Sequence, residues 1–108
     1  MQIKYFVLEN TWLPRAMMSF GWGNGYVILP PGHKYYGLDY NEIDVDVHYG
    51  LTFADYAKNF AKIPYEHKDN EGWVVGFDTA HAFDSLERWP KEKVIEETIK
   101  LFNQLKKL

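Results

Sequence analysis

A chain of 108 residues, 46% hydrophobic and 25% charged, has the make-up of one ordinary globular domain spanning 1–108, and no apolar run approaches the roughly 18 residues that a membrane span needs. A net charge of -3, with no basic cluster longer than Lys106-Lys107, argues against a nucleic-acid partner, which draws on many Lys and Arg contacts. The absence of cysteine removes disulfides, thiol nucleophiles and thiolate metal sites, and the short apolar start with an early acid at Glu9 lacks the pattern of a secretory signal, so the cytoplasm is the expected compartment.

Residues Ile3 to Leu8 carry β-formers at most positions and predict a first strand, closed by the turn former Asn10. Thr11 to Phe20 fits either a short helical turn or a second strand. Gly21-Trp22-Gly23-Asn24-Gly25 predicts a turn, because glycine and asparagine accept the positive φ that other residues avoid. Tyr26 to Leu29 then reads as a strand stopped by Pro30-Pro31. The glycine spacing is not a dinucleotide fingerprint, since it lacks both the Gly-x-Gly-x-x-Gly order and a following helix. Gly32 to Ile43 is polar and aromatic and predicts an ordered loop with room for one helical turn; Tyr35, Tyr36 and Tyr40 are expected either to cover a ligand or to pack against the sheet, and His33 is expected at the surface.

Asp44 to Phe53 is the most patterned stretch. Val45, Val47, Tyr49, Leu51 and Phe53 alternate with Asp44, Asp46, His48, Gly50 and Thr52, the period-2 signature of a strand with one buried face. Same-face neighbours on such a strand stand about 6.6 Å apart. Two carboxylates, an imidazole and a hydroxyl would therefore line one row within reach of a single ligand. Ala54 to Ala61 predicts a short helix or helical turn ended by Ile63-Pro64, and Glu66 to Gly72 a solvated charged turn. Trp73 to Ala80 reads as an interior strand that delivers Asp78, His81 and Asp84 at or beyond its end, where irregular backbone aims polar groups into a cleft. Pro90 to Leu108 predicts a helix with Val94, Ile95, Thr98, Leu101, Phe102, Leu105 and Leu108 on one face, acids early and lysines late. Together these elements predict an α+β fold, a mostly antiparallel sheet packed against a C-terminal helix.

The expected site joins Asp44, Asp46, His48 and Thr52 to Asp78, His81 and Asp84, with Tyr36 or Trp73 supplying a flat surface. Carboxylates accept hydrogen bonds from sugar hydroxyls or base amines, imidazole meets phosphate or carbonyl groups, and aromatic rings stack on bases. An aromatic content of 18% fits that use. The pattern points to a non-catalytic binder of a small polar, nucleotide-like molecule that needs no cofactor, with assembly into a homo-oligomer left open. Two alternatives stand beside it: a hydrolase with a divalent ion on Asp46, His48, Asp78 and His81, or a protein-binding inhibitor module built on exposed aromatics. The plainest account keeps Asp44 and Asp46 as solvent-facing acids, His48 and His81 as internally bonded, and Asp78 and Asp84 as turn caps. Ser19 and Ser85 sit in no Gly-x-Ser-x-Gly turn, which leaves a serine nucleophile without support.

Gly25-Tyr26-Val27, Pro31-Gly32-His33, Tyr36-Gly37, Asp39-Tyr40, Asp46 to Phe53, and Gly76-Phe77-Asp78-Thr79-Ala80-His81 with Asp84 together resemble a family of small phage, prophage and bacterial proteins. That family carries G-Y-V, P-x-G-H, H-G-G-L-T and G-F-D-x-A-H patterns, and the resemblance covers residues 22 to 105. Tyr49 stands where the pattern has the first glycine after the histidine, and Val74 where a second Trp is expected. The resemblance implies no activity; its phage setting implies a compact binder that traps a nucleotide-derived defence signal of the host.

Overall fold

Among the described residues, four strands and one long helix carry the fold: β1 (Lys4–Glu9), β2 (Gly23–Leu29), β3 (Phe53–Tyr56), β4 (Trp73–Phe77) and α1 (Lys91–Lys106). The computed structural model describes residues 2–11, 20–68 and 71–108, so the stretch between Thr11 and Phe20 that fits either helix or strand falls outside the described residues. Every strand pairing is antiparallel, in the order β1-β2-β4-β3. With α1 packed on β1 and β2, the chain adopts the α+β architecture expected from the sequence.

β2 and β4 are apolar along most of their length because both of their faces are covered. Successive strand residues point to opposite sides. Val27, Leu29, Trp73, Val75 and Phe77 thus join Val94, Leu101 and Leu105 of α1 in the main core, while Tyr26, Ile28 and Val74 join Phe6, Ala57 and Ile63 in a second. Burying each of those aliphatic helix side chains stabilises the fold by about 1.5–3 kcal/mol relative to exposing it. Of the predicted apolar helix face, Leu108 alone is left exposed, and Pro90 occupies the N-cap. His33 is not a free surface histidine. Its Nδ1 accepts the Tyr35 N–H at 3.0 Å, which puts the ring proton on Nε2, and Nε2 donates to the Leu105 carbonyl at 2.8 Å. A helix leaves its last carbonyls without partners of its own, and His33 supplies one of them.

Three stretches depart from the sequence reading. Gly23, Asn24 and Gly25 lie within β2 and form no turn; positive φ occurs instead at Gly32, Gly37 and Gly50. Close approach is what demands glycine here: a Cβ on Gly23 would strike the Leu8 carbonyl, and one on Gly25 the Thr98 hydroxyl and the Phe77 ring. Of the short helix or helical turn expected over Ala54 to Ala61, only a 3-10 turn at Ala57–Asn59 forms, because β3 runs to Tyr56. β4 stops at Phe77, short of Ala80, and the single helical turn expected in the 32–43 loop is at Tyr40–Glu42.

The largest departure is Asp44 to Phe53, which joins the sheet only at Phe53. The segment before it lies against α1, and one side chain takes the place of a neighbouring strand: Gln104 Oε1 accepts the Asp46 N–H at 2.7 Å while Nε2 donates to the Asp46 carbonyl at 2.7 Å. Glu97 Oε2 likewise accepts the His48 N–H at 2.8 Å. The alternation of burial holds only in part: Val47 and Leu51 are buried and Asp44 and Asp46 exposed, whereas Tyr49, expected on the covered face, is 62% exposed because the turn there throws its ring outward. A period of two reports one covered face, and a segment laid on a helix meets that condition as well as a strand does.

Candidate functional site

Two tight turns at the end of the sheet beyond Phe77 aim the polar groups at one another. In the first, the Gly50 N–H donates to the Val47 carbonyl at 2.8 Å, and the chain passes through φ 56 at Tyr49 and φ 78 at Gly50. In the second, the Asp84 N–H donates to the His81 carbonyl at 3.0 Å, and Phe83 is held at φ 71. Both turns thus place a large aromatic residue in a left-handed conformation that costs about 1–3 kcal/mol. The floor beneath them is stitched to the start of β2: the Gly21 N–H donates to the Thr79 carbonyl at 2.8 Å, the Thr79 hydroxyl to the Gly23 carbonyl at 2.7 Å, and the Trp22 N–H to the Trp89 carbonyl at 2.8 Å.

Asp84 is the hub. Its side chain, 3% exposed, accepts His48 Nε2 on Oδ1 at 2.8 Å and His81 Nδ1 on Oδ2 at 3.1 Å. The backbone N–H of His81 adds a third bond to Oδ2 at 2.9 Å. The other ring nitrogen of His81, Nε2, lies 3.4 Å from Asp78 Oδ1. Asp78 is itself oriented by the Thr52 hydroxyl at 2.8 Å and the Ala80 N–H at 3.0 Å. Trp89 packs on His48 with ring centroids 4.1 Å apart, and Tyr49 stacks on His81 at 4.3 Å. Two carboxylates and two imidazoles, with Glu97 behind His48, make the cluster rich in acceptors. It is chemically suited to a cation or to a ligand that presents N–H and O–H groups.

Of the residues predicted for the site, the structure brings together His48, Thr52, Asp78, His81 and Asp84. It separates the others. Asp46 is exposed beside α1, 3.3 Å from Lys100 Nζ, and Asp44 faces solvent. The turn after Val47 breaks the row that would have kept Asp46 and His48 on one face. Trp73 opens β4 and Asp78 follows its end, about 16 Å further along a strand. Tyr36 goes with Trp73, their ring centroids 6.3 Å apart, and Trp73 Nε1 donates to the Leu38 carbonyl at 2.9 Å. The flat surfaces at the cluster belong to Tyr49 and Trp89, which sequence reasoning did not single out. The φ of 56 at Tyr49 is one that glycine takes readily and a tyrosine seldom does.

Compared with known proteins, the chain matches no family model, no curated protein and no solved structure.

Proposed function

We propose that the protein binds a small polar, nucleotide-like ligand without converting it, and that holding this ligand is its role. The observation that carries the reading is the gathering of His48, Thr52, Asp78, His81 and Asp84 beneath the exposed ring of Tyr49. In this reading Asp78, whose side chain is 31% exposed, accepts an amine or hydroxyl of the ligand. Tyr49, 62% exposed, stacks on a base, a contact worth about 1–3 kcal/mol. The left-handed backbone at Tyr49 and Phe83 supports the same view, since such strain persists where the surroundings hold a side chain in place for use. The biological setting we propose with it is sequestration of a host defence signal, as the sequence resemblance to small phage proteins implies.

The test is calorimetric titration with a panel of nucleosides, linear nucleotides and cyclic nucleotides, followed by chemical analysis of ligand released by heat. We expect one class to bind and to be recovered intact. Tyr49→Ala and Asp78→Asn should each weaken binding about tenfold or more, the loss typical of one stacking contact or one charged hydrogen bond, with the circular dichroism spectrum unchanged. No binding anywhere in the panel, or full affinity in both variants, ends the reading; a chemically altered ligand replaces it with hydrolysis.

A further inference from the structure

We infer that His48 Nε2, His81 Nδ1 and Asp84 are the inner ligands of a divalent first-row transition ion, with Asp78 as the outer carboxylate that orients His81. The proposal shares its residues with the ligand-binding reading and rests on that reading only for what fills the open coordination position.

The argument starts from distances. The donor atoms of His48, His81 and Asp84 all lie within 4.8 Å of one another, and the two imidazole-to-carboxylate separations are 2.8 and 3.1 Å. Ligand bonds of about 2.0–2.1 Å in a tetrahedral site put donors about 3.3 Å apart. Asp84 meets His48 with Oδ1 and His81 with Oδ2, so whichever oxygen binds, one edge already fits to within about half an ångström, and the other two lie within 4.8 Å and must shorten to close on an ion. In the hydrogen-bonded arrangement a proton lies between each imidazole and the carboxylate; an ion among the three groups takes that place, and each bound imidazole then carries its ring proton on the nitrogen facing away from the ion, which on His81 is the Nε2 beside Asp78.

The surroundings match as well. A ligating histidine commonly gives its second nitrogen to a carboxylate, which sets ring orientation and strengthens the donor. Here His81 turns Nδ1 to Asp84 and Nε2 to Asp78, and Asp78 is in turn held by Thr52 and Ala80. Trp89 backs the His48 ring, and Asp84 is fixed by the His81 N–H. The side chains of His48 and His81 remain 15% and 23% exposed, so the cluster is not sealed from solvent and a fourth ligand can come from outside the chain. Two imidazole nitrogens select for ions such as Zn²⁺, Co²⁺ or Fe²⁺ over Mg²⁺ and Ca²⁺, which prefer oxygen throughout. An ion here also resolves a chemical difficulty. The bare cluster repels phosphate through Asp78, Asp84 and Glu97, whereas an ion with an open position attracts it.

The test uses the whole chain, stripped with a chelator, dialysed and titrated with Co²⁺ and Zn²⁺ by visible absorption and calorimetry. We expect one ion per chain, with the d–d bands of imidazole-bound Co²⁺ and competition by Zn²⁺. The double variant H48A/H81A should lose the 1:1 transition, and Asp78→Asn should keep it with about 10- to 100-fold weaker affinity. Where the double variant fails to fold, imidazole NMR of the native chain gives the answer: Zn²⁺ should shift the His48 and His81 signals and leave His33 and His67 unmoved. Absent 1:1 binding, native-like affinity in the double variant, or shifts confined to His33 or His67 would overturn the proposal. Repeating the nucleotide panel with and without Zn²⁺ separates the two readings. An ion without any nucleotide keeps the metal and ends the ligand, and a nucleotide held by ion-free protein that takes up no ion does the reverse.

Discussion

Tyr49 offers a test in which the sign of the answer, more than its size, is informative. At an ordinary position alanine is more stabilising than glycine by about 0.4–1 kcal/mol, because glycine leaves the unfolded chain more freedom. At φ 56 the preference should invert, since a Cβ in the left-handed region costs about 1–2 kcal/mol that glycine avoids. Tyr49→Gly and Tyr49→Ala lose the same ring, which is 62% exposed and stacks on His81 at 4.3 Å. That shared loss cancels when the two variants are compared with each other. The remainder favours Tyr49→Gly by about 0.5–1 kcal/mol, or about 2–8 °C in melting temperature for a domain near this size. Urea unfolding of both variants, read at equal m values, measures the difference directly. A Tyr49→Ala variant as stable as Tyr49→Gly, or more so, would refute the claim that the Tyr49 backbone is strained, and with it part of the support for the site.

Three further outcomes follow from the packing. Gly25→Ala should destabilise by about 1–3 kcal/mol or more, because the new methyl group meets Thr98 and Phe77 where α1 crosses β2; unchanged thermal unfolding would contradict the close approach. His33→Ala should cost about 1–2 kcal/mol and speed amide exchange in the last turn of α1, and nitrogen chemical shifts of the native ring should identify Nε2 as the protonated atom. Burial pushes the Tyr26 hydroxyl above its usual 10.0, the charge of Asp78 pushes the same way, and the Asn24 hydrogen bond pushes back. The unfolded chain then releases this proton first, so stability should fall as pH climbs past 10; Tyr26→Phe should flatten that fall, and parallel pH profiles for the two proteins would count against it.

Much of the fold was legible because it rests on periodicities that burial imposes. Val94, Leu101 and Leu105 recur at helical spacing, and Trp73 to Phe77 is apolar throughout because β4 is covered on both sides. The misread stretches are those where one sequence signal has two physical causes. Glycines at 23 and 25 indicate either a turn or a near neighbour, and only the placement of Leu8 and Thr98 decides. Alternation over 44–53 indicates a covered face without naming what covers it. The site was legible in its second half, since Asp78, His81 and Asp84 follow a strand end closely enough to meet whatever the rest of the fold does. Whether Asp46 or His48 joined them depended on a turn after Val47. That turn is written in Gly50 and hidden by Tyr49, a residue that gives little local hint of positive φ.

Gln104 gives this arrangement a mechanical consequence. An amide plane in the last turn of the helix, with Glu97 further back, latches the arm carrying His48 in place, so the meeting of the two imidazoles depends on the docked tail of the chain. Whatever loosens that tail should unlatch the arm before it disturbs the sheet, and the loss of a bound guest would then be the earliest sign that the molecule has begun to open.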